Sequence, residues 1–121
     1  MENKRLSPIA LSEVARLMAV SERTVRRLID RGEIAAERIG ATLAVIPSAL
    51  PEPLAASVEA GNAEPLLTIH DAARMLECSP MLVRRLTSQG KLREIWIGSA
   101  PRWSPNEVAD FLRSAEEKLP F

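Results

Sequence analysis

Arginine is the side chain best placed to do chemistry in this chain: Arg23, Arg26, Arg27 and Arg31 crowd into residues 22–31. A planar guanidinium presents a fork of donors that grips a phosphate, or the edge of a guanine, through paired hydrogen bonds. Ser21 and Thr24 open the same stretch, where hydroxyls serve either backbone N–H groups or phosphate oxygens. The competing account is a solvated helix surface laced with ion pairs, such as Arg23 or Arg26 with Asp30. Other chemistry is poorly supplied. The single Cys78 cannot close an internal disulfide, and with the single His70 it falls short of the usual four zinc ligands. The chain has no Tyr, no Gly-rich phosphate loop and no Gly-x-Ser-x-Gly elbow. Cys78 reads as a small buried hydrophobe and His70 as a solvated residue in a first helical turn, so they make no nucleophile–base pair. No catalytic residue, metal or cofactor is expected, nor a small-molecule substrate.

The elements that must position these arginines emerge from an internal repeat. Sliding the sequence by 58 residues lays 11–50 on 69–108 without a gap and gives 11 identities in 40 positions. Arg26 and Arg27 fall on Arg84 and Arg85, Ser21 on Ser79, Val25 on Val83, Gly32 on Gly90 and Gly40 on Gly98. Average composition would give about two or three identities, and here turn residues match as well as apolar ones. In the second copy Thr68 with Asp71 three residues on resembles a capping box, followed by apolar residues at helical spacing up to Leu76. Ser79 and Pro80 suit the cap and first position of a second helix that Gly90 stops. Residues 92–97 and 102–104 read as a hairpin about a turn at 98–101, and Ser104-Pro105 opens a last helix. The first copy repeats this course: helices over 11–18 and 22–31, then strands 34–39 and 43–46. Pro51 and Pro53 cut its last helix to at most a turn. Trp96 and Trp103, on the second hairpin, read as core.

Two short helices joined by a three-residue turn and followed by a hairpin are the outline of a winged helix-turn-helix. The expected fold is therefore mainly α with small β wings (α+β), as two tandem winged helix-turn-helix modules over residues 1–50 and 66–121. Residues 51–65, with Pro51, Pro53 and Pro65, acids Glu52, Glu59 and Glu64, and no basic residue, are expected to be an acidic tether. A short helix within 54–60 is compatible with that composition. Residues 11–34, with Glu-Val-Ala at 13–15, Val20-Ser21 and Thr24-Val-Arg-Arg-Leu-Ile29 before Gly32, resemble the excisionase/MerR-type winged helix-turn-helix family. Residues 68–92 and 97–112 resemble it equally. The resemblance implies that the second helix of each module enters the major groove of double-stranded DNA, and that the wing touches backbone or minor groove.

At 100° per residue, a helix with Val25 inward turns Leu28 and Ile29 inward and Arg23 and Arg27 outward, with Arg26, Asp30 and Arg31 on the flanks. The candidate DNA contacts of module one are Ser21, Arg23, Thr24, Arg26, Arg27, Arg31 and, on the hairpin strand, Arg38. In module two they are Ser79, Met81, Arg84, Arg85, Lys91 and Arg102. That set is less basic on the helix, since Met81 replaces Arg23 and Gln89 replaces Arg31. The tip of the first hairpin, residues 40–42, carries no arginine.

Charge is parcelled the same way. The chain has 16 basic and 16 acidic groups over 121 residues, yet residues 1–50 and 66–115 are each net +2, with −3 in the tether and −1 in the tail after 115. Mildly basic modules suit weak binding strengthened by linkage or dimerisation. Aromatics make up only 3% and offer no stacking platform, which argues against single-strand or RNA recognition. No apolar run is long enough to span a membrane, and no signal-peptide run follows the first residues, so a cytoplasmic, nucleoid-associated protein is expected. The leading expectation is a small DNA-binding regulator, acting in transcription or as an excisionase-like accessory of recombination. Its partners would be duplex DNA, itself as a dimer, or a recombinase or transcription partner. The rival is a protein-binding adaptor or anti-activator, favoured by zero net charge, Met81 and the bare first wing.

Overall fold

The computed structural model describes residues 8–117, which form two compact units divided between Glu64 and Pro65. Each is described by itself. Unit 1 begins with a two-residue strand β1 (Ile9–Ala10), then α1 (Leu11–Met18), α2 (Glu22–Asp30), β2 (Ala36–Ile39) and β3 (Thr42–Val45). A single 3-10 turn at Pro47–Ala49 and α3 (Leu54–Ala60) complete it. Unit 2 holds α4 (Ile69–Leu76), α5 (Pro80–Ser88), β4 (Glu94–Ile97), β5 (Ala100–Trp103) and α6 (Pro105–Glu117). Among the described residues the chain is thus about half helical, with small antiparallel sheets. The bounds of α1, α2, β2 and β3 recur 58 residues later in α4, α5, β4 and β5.

The turn between the paired helices is built identically in both units. Ala19 and Glu77 adopt left-handed backbone, φ 58° and 56°, although neither is glycine. That conformation costs roughly 1 kcal/mol for a residue with a Cβ. It is offset by satisfying orphan carbonyls at the helix end: Val20 N–H donates to Ala15 O at 3.0 Å, and Cys78 N–H to Ala73 O at 2.9 Å. Two residues later the second helix starts. The Ser21 hydroxyl accepts the Thr24 N–H at 3.1 Å, and that of Ser79 accepts the Leu82 N–H at 3.2 Å. Gly32, at φ 78°, and Gly90, at φ 79°, stop α2 and α5 in the left-handed region that glycine adopts freely. Arg31 consequently lies beyond α2 as its C-terminal cap rather than in its last turn.

Packing separates one face of each helix from the other. In unit 1, α1 packs on α2 and β3, and Val14, Met18, Val25 and Val45 are wholly buried. In unit 2 the core is Ala72, Ala73, Val83, Leu92, Trp103 and Val108, with Cys78 and Phe111 partly buried against it. The Trp103 indole Nε1–H donates to Thr87 Oγ1 at 3.0 Å, and the Thr87 hydroxyl donates to the Val83 carbonyl at 2.8 Å. The buried indole thereby loses no hydrogen bond on leaving water.

The short helix that the composition of residues 54–60 allows is formed as α3, which buries Leu54 and Ala55 in unit 1. Burial of a leucine and contact with the Pro47–Ala49 turn outweigh the prolines, which precede the helix and leave its hydrogen bonds intact. Trp96 is not core: it is 55% exposed, because strand alternation turns Ile95 and Ile97 inward and the residue between them outward. Cys78 is half-buried rather than sealed in.

Candidate nucleic-acid interface

The inward face of α2 is set by Val25 and Leu28, both buried, which leaves Arg23, Arg26 and Arg27 exposed on the remaining surface. Among the described residues none of these three comes within ion-pair distance of a carboxylate, so the pairing of Arg23 or Arg26 with Asp30 is not formed. By contrast, Arg16 is held by Glu13, Arg74 by Asp71 and Arg113 by Asp110, all at i, i+3 on their own helices. Arg31 reaches Glu33 at 3.9 Å. The guanidinium groups on the outer face of α2 are therefore exposed and without a carboxylate partner among the described residues, as are Arg38, Arg84 and Arg85.

Arg26 and Arg38 come together. Both line one open cleft of about 450 Å³, walled by the start of α1, the start of α2 and the β2–β3 hairpin. Ser12 and Thr42 add hydroxyls to it, and Glu22 adds a carboxylate. Arg38 pairs across the sheet with Leu43, which lines the same cleft, so the strand register turns Arg38 toward α2. The cleft thus brings a cation from a helix and a cation from a hairpin to one opening. Ser21 and Thr24 sit at the N-terminus of α2 with their hydroxyl oxygens 3.1 Å apart, and Ser21 is occupied in capping. Their contribution is to fix where α2 begins and hence which way its arginines point.

Unit 2 presents a thinner version. Val83 is the buried centre of α5, and Arg84 and Arg85 are exposed, as is Lys91 just past the helix. Met81 is 70% exposed in the first turn of α5, whose start Ser79 caps. Arg102 stands apart from this group. It lies opposite Ile95 in the β4–β5 register, on the face of the hairpin that holds buried side chains, and donates to the Pro101 carbonyl at 2.8 Å. Partial burial lowers the pKa of its guanidinium, and the charge of Asp71 works against that effect. Asp71 itself is held below the usual carboxylate range, first by the Thr68 N–H, then also by the Thr68 hydroxyl and by Arg74. His70 is exposed beside it, and burial pushes the Cys78 thiol up, away from a reactive thiolate. No cluster of three or more metal-ligating side chains occurs among the described residues.

Sequence reasoning placed Trp96 in the core and so missed it as a surface residue. The alternation of Ile95, Trp96 and Ile97 was the signal available: with both isoleucines inward, the indole between them must face out.

Two short helices joined by a tight turn, the second bearing an outward row of cations, define a DNA-binding helix-turn-helix protein. The profile of the helix-turn-helix domain family matches residues 11–50 and again 66–116, and the chain belongs to that family. Neither a curated protein nor a solved structure matches it. No helix among the described residues is long and apolar enough to cross a membrane.

Proposed function

We propose that this chain is a small, non-enzymatic regulator of double-stranded DNA built from two tandem winged helix-turn-helix modules of the excisionase/MerR type. Its modules are residues 1–64 and 65–121, and module one is the principal reader. The observation that carries this reading is the set of three exposed arginines on α2 without ion-pair partners among the described residues, one sharing a cleft with Arg38. In this reading α2 lies in the major groove with Arg23 and Arg27 toward base edges. Arg26 and Arg38 hold the backbone between helix and wing. The bare hairpin tip, Gly40 to Thr42, gives this wing a backbone role rather than a minor-groove one. Transcription control and the architecture of recombination use the same contacts, and both lie within the proposal.

The test is selection of bound duplexes from a random pool, followed by footprinting and a salt titration. Each phosphate that Arg26 and Arg38 neutralise would add about −0.9 to the slope of log K against log salt. Failure to retain any duplex at about 50 mM salt would replace this reading with that of a protein-binding adaptor.

A further inference from the structure

Three large apolar side chains are exposed among the described residues, and two of them occupy places where unit 1 has arginine. Met81 stands 58 residues after Arg23, and Trp96 stands 58 residues after Arg38. Met81 is 70% and Trp96 55% exposed, while Arg23 and Arg38 are exposed in their own unit. The exchange is therefore confined to the candidate DNA face and leaves the core pattern intact.

The positions belong together. Met81 and Arg84 are at i, i+3 on α5 and so share one side of that helix. In unit 1 the equivalents of Arg84 and Trp96, namely Arg26 and Arg38, line one cleft. Trp96 lies opposite Pro101 in the sheet register, as Arg38 lies opposite cleft-lining Leu43. An indole, a thioether and a guanidinium make a combination that protein interfaces favour, since Trp, Met and Arg are enriched there. A duplex offers phosphates to such a face, and phosphates gain nothing from an indole and a thioether in place of two arginines.

We infer that this face of unit 2 docks an acidic amphipathic segment of a partner protein. Met81 and Trp96 would receive its apolar stripe, while Arg84, Arg85 and Lys91 match its carboxylates in charge. The inference rests on the equivalence of the two units and not on unit 1 binding DNA, so the two can fail separately.

The test uses the full chain and a synthetic peptide of about 16 residues, with leucines at i, i+3, i+4 and i+7 and glutamates elsewhere. A scrambled peptide of the same composition is the control. Trp103 is only 1% exposed, so a shift of tryptophan emission to shorter wavelength reports on Trp96. The amphipathic peptide should give a saturable shift, and the scrambled one should not. In the double variant M81R/W96R, which installs residues that unit 1 carries at these places, affinity for the labelled peptide should fall at least about tenfold. Equal binding of both peptides, no saturable binding, or undiminished affinity in the double variant would overturn the inference. So would a duplex that quenches Trp96 and binds the double variant more weakly, because the face would then be a DNA contact.

Discussion

If Arg26 and Arg38 hold one phosphate between helix and hairpin, their effects on binding must be coupled, and a double-mutant cycle exposes the coupling. Both side chains are exposed, and neither has a carboxylate within ion-pair distance among the described residues. Arg26→Ala and Arg38→Ala should therefore leave folding within about 0.5 kcal/mol of the parent. A lost arginine contact to DNA costs about 1–3 kcal/mol, roughly a 5- to 150-fold loss of affinity. Each single variant should lie in the lower half of that range, because the remaining guanidinium still holds the phosphate. The salt slope carries the sharper distinction. Two arginines on separate phosphates would each remove about 0.9 from it, and the double variant about 1.8. Two arginines sharing one phosphate should remove little singly and about 0.9 together, with a coupling energy of about 0.5–3 kcal/mol. Fluorescence anisotropy on a selected duplex at several salt concentrations measures both quantities. Unchanged affinity and slope in the double variant would refute the cleft as a DNA contact, and strictly additive losses would refute the shared phosphate.

Three further outcomes are expected. Arg27→Ala should weaken duplex binding by about 1–3 kcal/mol and relax preference at one position, and Arg85→Ala should do less; equal, negligible effects in the same titration would remove module one as principal reader. Val25 and Val83 are both wholly buried, so Val25→Asp or Val83→Asp strands a charge at a cost of several kcal/mol and should unfold its own unit, as seen by loss of helicity and by proteolysis; retained thermal stability in both would refute the matched cores. Asp71 is depressed in the folded state, so its stabilisation of α4 is present above its unfolded pKa and is lost as pH falls through the folded value. Thr68→Ala, which removes the hydroxyl cap, should cost about 1 kcal/mol, whereas Asp71→Asn, which removes the carboxylate that the backbone N–H of residue 68 holds, should blunt the loss of stability below about pH 4 in thermal melts between about pH 2.5 and 7.

Sequence alone determined what is local. The caps Ser21, Thr68 and Ser79, the stops at Gly32 and Gly90, and the 58-residue register are legible because each depends on a few neighbouring residues and on backbone stereochemistry. The outward direction of Arg23 and Arg27 followed from helical geometry once Val25 was taken as core. Tertiary structure decided which charges keep a partner. The distance from Arg31 to Glu33, the meeting of Arg26 with Arg38 in one cleft, and the turning of Arg102 toward the Ile95 face depend on how a hairpin folds back beside a helix. It also decided that residues 54–60 join unit 1, because burial of Leu54 is a gain that no reading of proline and acid content contains. Trp96 marks the border between the two. Its alternation was written in the sequence, yet an indole in a strand is equally at home in a core. Only the inward turn of Ile95 and Ile97 fixed the opposite direction for the ring between them.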